Sequence, residues 1–220
     1  MPVFFPNIMN KYIQDPTRIE QESFWQIREL LELDHLSPAE QQVALRMVHS
    51  CGVPELFQHI RFSADACAAG LAALAQSASM LCDVEMVKHG ITKRMVQSEP
   101  LCFLNTPRTI ALARQHGETR SMAALDLWHK HLAGSIVLIA NAPTALFRLL
   151  EMLAQGVPKP ALIIGIPVGF VGAAESKQAL WDQHQALDVE CITVLGRQGG
   201  SAITASVLNA LLRYQRGECY

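Results

Sequence analysis

One histidine in this sequence stands where a proton could be held and released. His49 closes the string Arg46-Met47-Val48-His49-Ser50-Cys51-Gly52, which reads as the last turns of a helix. Arg46 and His49 are three residues apart and so share a helical face. Imidazole titrates near neutral pH, and a helix C-terminus favours its protonated form. The position suits a proton donor to a weakly basic group. It equally suits a histidine that only solvates the helix's last carbonyls.

A second set of residues clusters by position rather than by type. The ends of successive apolar runs carry Asp83-Val84-Glu85, Asn105-Thr106-Pro107-Arg108, Asn141-Ala142-Pro143-Thr144, Pro167-Val168-Gly169 and Gly196-Arg197-Gln198-Gly199-Gly200-Ser201. Each segment is polar, small or rich in Gly and Pro, and each leads into a helix N-terminus. Helix N-termini offer free N–H groups and partial positive charge to anions. Turns use the same residues for purely conformational reasons.

Other chemistries find little footing. There is no GxGxxG after a strand and no GxxxxGK[ST], and no GxSxG elbow for a hydrolase. His129 and His131 sit at i and i+2 of an expected helix and so point apart, which argues against a metal there; no metal and no cofactor are expected. The six cysteines form no CxxC pair and read as free thiols in a reducing compartment.

These residues need a scaffold. Residues 1–14, with Pro2 and Pro6, read as a loose arm, and 17–33 as a helix. Ser37-Pro38-Ala39-Glu40 is a helix start with N-cap, N1 proline and N3 glutamate, and Gly52 and Pro54 stop that helix. An Ala-rich helix over 64–76 is expected, capped by Ser63. Apolar runs at 80–82, 101–104, 135–140, 161–166 and 191–195 read as buried strands. Helices are expected over 106–115, from Thr119 through Leu132, and over 144–155, 174–181 and 201–213. Strands of this kind alternating with helices predict an α/β fold: a doubly wound, flavodoxin-like, mostly parallel sheet with helices on both faces. The chain then reads as one domain, 1–220, with a helical segment at 15–60 packed on an α/β core at 61–214.

Composition narrows the class. The 220 residues are half apolar and 17% charged, unlike a disordered or coiled-coil chain. The net charge is −2, with no basic block to bind nucleic acid. The longest uncharged apolar run, 161–174, is broken by glycines and a proline and is too short to span a membrane. Met1 to Lys11 lacks the pattern of a secretion signal. A soluble cytoplasmic protein is expected.

The strings themselves resemble a known family. Glu22-Ser23-Phe24 with Ile27-Arg28, the Arg46–Gly52 string, Cys82-Asp83-Val84-Glu85-Met86-Val87, Thr119-Arg120-Ser121, and Gly134-Ser135 are similar to the precorrin-8X methylmutases of cobalamin biosynthesis. So are Asn141–Phe147, Pro167–Lys177, Gly196-Arg197 and Gly199-Gly200-Ser201. The likeness covers about 15–212 in order; the arm before it and the tail after Tyr214 have no counterpart. The resemblance implies an isomerase that moves a methyl group from C11 to C12 of precorrin-8X, or of its cobalt complex, giving hydrogenobyrinate or cobyrinate. The shift is intramolecular, so no redox cofactor or methyl donor is implied. It implies that His49 protonates the ring-C nitrogen and that the protein works as a homodimer. By resemblance and position together, Ser23, Arg28, Arg46, Arg120, Ser121 and Asn141 are candidates to hold the tetrapyrrole, followed by Thr92, Arg197 and Ser201. Two other readings compete: a tetrapyrrole carrier that hands a corrin to the next enzyme, and a flavin or nucleotide binder suggested by fold alone, which lacks any nucleotide motif.

Overall fold

The computed structural model describes residues 12–220; most of the expected arm, 1–11, lies outside the described residues. Helix α1 (Pro16–Leu30) starts where the Asp15 carboxylate accepts the Arg18 N–H at 2.7 Å, and it buries Phe24. Helix α2 (Pro38–Cys51) opens with the expected capping box between Ser37 and Glu40 and ends at Gly52 in the left-handed conformation.

The sheet has six strands in the order β1-β6-β5-β4-β2-β3. Strands β2 (Met80–Cys82), β3 (Leu101–Cys102), β4 (Ile136–Ile139), β5 (Leu162–Gly165) and β6 (Cys191–Val194) are parallel. The edge strand β1 (Ile60–Phe62) runs antiparallel to β6. The order reverses between β2 and β4, which makes that crevice the topological switch point of a doubly wound sheet.

Successive strand residues face opposite sides, and two cores result. Met80, Cys82, Ile136, Leu138, Leu162, Ile164, Ile192 and Val194 face one way. They pack with α2, α3 (Ala66–Ala75), α4 (Glu85–Gly90) and α9 (Ser201–Gln215). Leu81, Val137, Ile139, Ile163 and Cys191 face the other way. They pack mainly with α7 (Pro143–Ala154) and α8 (Ala173–Leu187). Helix α5 (Pro107–His116) packs on the short α6 (Arg120–Ala124), which in turn touches α7. Residues 203–212 of α9 are all buried, because α9 lies between the sheet and α2. A helix covered on both sides is apolar all round.

Two local expectations are corrected. Ser63 does not cap α3: its hydroxyl bonds the Glu190 carboxylate and accepts the Cys191 N–H at 2.7 Å, tying the edge strand to β6. The helix from Thr119 does not reach Leu132. It stops at Ala124 and continues as two 3-10 turns, Leu125–Leu127 and His129–His131, which bury Trp128 and Leu132. Strand β1 and helix α4 were not foreseen, being too short to carry a period.

Candidate functional site

The described residues gather the candidates into separate places. His49 is exposed in the last turn of α2, and its imidazole stacks on Phe24, with ring centroids 4.7 Å apart and 15° between planes. Phe24 is a buried residue of α1, and the Tyr220 ring stacks on it at 3.7 Å. Two guanidinium groups lie over Tyr220, Arg46 at 5.5 Å and Arg213 at 4.7 Å, and Arg46 is 5.9 Å from the Phe24 ring. Both arginines approach Glu20, at 3.9 and 3.5 Å. Arg28, one turn after Phe24 on α1, donates to the Tyr220 main-chain oxygen at 2.6 Å. Ser23 is half-buried next to Phe24 in sequence. Beside Tyr220 opens a cleft of about 420 Å³, lined by Phe24, Trp25, Arg28, Arg213 and Tyr220 among others but not by His49 or Arg46.

The charge state of His49 differs from the reading by helix position. Burial against its neighbours holds its pKa below 6.5, the Arg46 charge lowers it further, and Glu20 opposes them. The protonated form is therefore disfavoured relative to a free imidazole. Packing on Phe24 and a cation one turn away outweigh the partial charge of a helix terminus, which is a fraction of an elementary charge.

The strand ends are built differently. Asp83, at the end of β2, is 1% exposed. Its carboxylate accepts the N–H groups of Ala140, Asn141 and Ala142 at 3.0, 2.9 and 3.1 Å. Burial pushes its pKa up, and the three N–H groups oppose that. The crevice between β2 and β4 thus already contains an anion belonging to the chain, and the N–H groups foreseen as free at Asn141 are occupied. Around this point Asn141 is exposed, Arg120 donates to Asn105 Oδ1 at 2.9 Å, and Ser121 is buried. The Thr119 and Thr144 hydroxyls bond at 3.0 Å, which brings the start of α6 to the start of α7.

Arg197 and Ser201 share the loop after β6. Arg197 lies over the exposed Phe170 ring at 5.7 Å. Gly199 is pressed so close that a Cβ would stand 2.4 Å from the Ile166 carbonyl oxygen. Beneath the loop, Lys177 is fully buried and its ammonium donates to the Gln198 carbonyl; burial lowers its pKa to about 8. Thr92 stands apart, its N–H bonded to Asn209 on α9 at 2.8 Å.

Helix α9 measures the gap between these regions. It starts at Ser201 on the rim and reaches Arg213 in the cleft, ~18 Å further along its axis. His49, Arg46 and Arg28 with Ser23 form one group, and the rim residues form others. Phe24, Arg213, Glu20 and Tyr220 were not singled out from sequence. Phe24 carried a signal in its four-residue spacing from Arg28, but an aromatic on a helix reads first as core. Tyr220 carried none, because only folding returns it to α1.

His116, Glu118 and Asp126 are close enough to share an ion, but Glu118 is already paired with Arg148 at 2.7 Å.

Comparison with known proteins adds an independent line. The family model of precorrin-8X methylmutase matches residues 18–214. A precorrin-8X methylmutase of Sinorhizobium sp is 52% identical over 204 residues, covering 92% of this chain and 96% of that protein. One from Pseudomonas aeruginosa is 47% identical over 205 residues, covering 92% and 98%. The crystal structure of a precorrin-8X methyl mutase from Thermus thermophilus superposes with a TM-score of 0.82 at 35% identity, covering 93% of this chain and 98% of that one. Matches of this extent, over the same strands and helices that carry His49 and the rim, lead to one conclusion: the chain belongs to the precorrin-8X methylmutase family.

Proposed function

We propose that His49 is the proton donor of an intramolecular methyl shift on precorrin-8X, from C11 to C12, with hydrogenobyrinate as product (or cobyrinate from the cobalt complex). Family membership makes the chain an isomerase of cobalamin biosynthesis and favours catalysis over a carrier role. The observation that carries the assignment is the exposed His49 stacked on Phe24, with the Arg46 guanidinium 5.9 Å from the same ring. A flat macrocycle edged with carboxylates needs an apolar face and cationic anchors, and both are beside the imidazole.

The chemistry follows from the charges. Burial first, and the Arg46 charge after it, hold the His49 pKa below its ordinary value. A substrate carboxylate on Arg46 offsets that charge, raises the imidazole pKa and lets His49 arrive at the ring nitrogen protonated. Proton transfer to the ring-C nitrogen withdraws electrons from the migrating framework. The methyl group moves within the molecule, so no external donor or redox partner enters. Substrate and product are isomers, and the proton returns to His49.

The ~18 Å along α9 between cleft and rim supports assembly as a homodimer. In that reading Arg120, Ser121, Asn141, Arg197 and Ser201 of one copy face the cleft of the other, and Thr92 is a more distant contributor. Among the described residues no helix is long and apolar enough to cross a membrane, which agrees with a cytoplasmic biosynthetic enzyme.

The test is an absorbance time course with metal-free precorrin-8X, wild type beside His49→Ala. The wild type is expected to form the hydrogenobyrinate chromophore, and the variant to bind the ring and stall. Turnover by His49→Ala at the wild-type rate would remove His49 from the chemistry.

A further inference from the structure

A carboxylate stands behind the arginine of the proposed site. Glu20 lies on α1, one turn before Phe24. Its Oε1 is 3.9 Å from Arg46 on α2 and 3.5 Å from Arg213 on α9. The three side chains come from three helices in contact, α1 on α2 and α2 along α9. One carboxylate oxygen is thus shared by two cations. Both separations are longer than a good hydrogen bond, so charge holds Glu20 there and it can favour either partner. Arg46 keeps 26% of its side chain exposed and is open to a competing anion. Arg213 also meets Glu218 at 3.6 Å, but Glu218 has Arg216 nearer, at 2.9 Å. Around His49, α2 contributes Arg46 and α1 contributes Glu20, and the two act in opposite senses: Arg46 lowers the imidazole pKa, after burial, and Glu20 raises it. Helix α9 contributes Arg213 through Glu20.

We propose that Glu20 is a positioning residue for the methyl shift: it keeps the Arg46 guanidinium beside Phe24 until a substrate carboxylate takes Arg46 over, and its own charge is then held by Arg213. This inference rests on His49 being the proton donor. Without substrate, one carboxylate faces two arginines. With substrate bound, two carboxylates face two arginines, and each anion has its own cation. An arginine gains more from a carboxylate that meets its fork squarely than from a shared contact at 3.9 Å, so the exchange runs toward the substrate. The negative charge near His49 then rises, and the imidazole becomes more basic only once the ring is seated. Glu20 therefore has two effects that pull apart. By occupying Arg46 it weakens the hold on substrate, and by adding negative charge near His49 it favours the protonated donor. A residue that served only to pack α1 would produce neither.

The experiment is a pH series of precorrin-8X turnover on wild type, Glu20→Gln, Glu20→Asp and Arg213→Met, beside an NMR titration of His49 in the ligand-free proteins. Glutamine keeps the shape and loses the charge, and aspartate does the reverse. Glu20→Gln should lower KM about two- to fivefold, the weight of a partly exposed ion pair. It should also lower kcat and move both the His49 titration and the fall of kcat/KM to lower pH. Glu20→Asp should titrate with the wild type. Arg213→Met should raise KM by a similar factor, because Glu20 is then left with Arg46 alone. A glutamine variant with wild-type KM and wild-type titration overturns the proposal, and so does an aspartate variant that titrates like the glutamine one. A raised KM in Glu20→Gln with an unmoved titration makes Glu20 a scaffold of α1 and overturns it as well. An unchanged KM in Arg213→Met overturns the hand-over to Arg213. The assignment of His49 fails separately: turnover by His49→Ala at the wild-type rate removes the donor, whereas the ligand-free titration needs no substrate and judges Glu20 on its own.

Discussion

The strand-end rim and the surroundings of His49 are built on opposite plans. At the rim the polar groups answer one another. Asp83 takes three N–H groups, Lys177 holds the Gln198 carbonyl, and Gly199 fits against the Ile166 backbone with no room for a side chain. Around Phe24, cations face aromatic rings, burial and Arg46 hold the His49 pKa below its ordinary value, and the buried Tyr220 hydroxyl lacks a partner among the described residues. Polar groups that are fully paired make a rigid frame, while groups left short of a partner are ready for a ligand. The comparison teaches that the switch point, where a doubly wound sheet commonly binds its ligand, can instead be filled by the chain's own carboxylate.

Exchanging the two effects is the severest test. His49→Ala should lower kcat by about 10²–10⁴-fold, the usual share of a general acid, with no change in melting temperature. Asp83→Asn should do the reverse. One oxygen of Asp83 takes one N–H and the other takes two, so an amide NH2 must oppose at least one of them. A donor left unpaired in a buried place costs about 1–3 kcal/mol, readable by chemical denaturation. A stable Asp83→Asn protein with normal melting would show that the rim is not the rigid partner.

Titration sharpens the contrast. Lys177 is lowered from 10.5 to about 8 by burial. Between those values the unfolded chain binds the extra proton, so the native state gains stability from this group as pH rises through that window. Lys177→Met should abolish that rise in a series of denaturant melts. Beside Phe24, the folded protein holds His49 below 6.5 through burial and, after it, through Arg46. Arg46→Gln should therefore move the imidazole upward in an NMR titration. With the protonated form as donor, kcat/KM of the wild type falls as pH rises past the lowered value, and the variant's fall should begin at higher pH. An unmoved imidazole would mean that burial, and not Arg46, lowers it.

The frame was legible because it repeats a local rule. Five apolar runs followed by helix starts are enough to predict a parallel sheet, and Ser37-Pro38-Ala39-Glu40 with Gly52 marks both ends of α2. His49 and Arg46 could be placed on one face by counting alone. The pieces that escaped depend on long-range approach. Tyr220 meets Phe24 across nearly the whole chain, and Asp83 finds its N–H partners more than fifty residues away. The helix from Thr119 was read too long because Trp128 and Leu132 continue its apolar spacing. In the fold they are buried from 3-10 turns, where tertiary packing overrides the helical period. The charge of His49 was misjudged for a related reason: a helix end is visible in sequence, but the ring stacked on the imidazole is not.

The smallest expected effect tests whether α2 carries the cleft without sharing its energetics. Ser37 and Glu40 close the capping box, the Ser37 N–H donating to Glu40 at 2.8 Å and the Glu40 N–H to Ser37 Oγ at 3.4 Å. Ser37→Ala should cost about 1 kcal/mol, or roughly 2–4 °C in melting temperature for a domain of this size. His49 lies twelve residues further along the same helix, ~18 Å from the cap. Helix termini fray locally, and the loss of one cap is confined to the first turn. The pH dependence of kcat/KM should therefore overlay that of the wild type. If it shifts instead, the start of α2 is coupled to the imidazole at its end, and the division between a rigid frame and a poised cleft runs through the middle of that helix rather than between α2 and the rim.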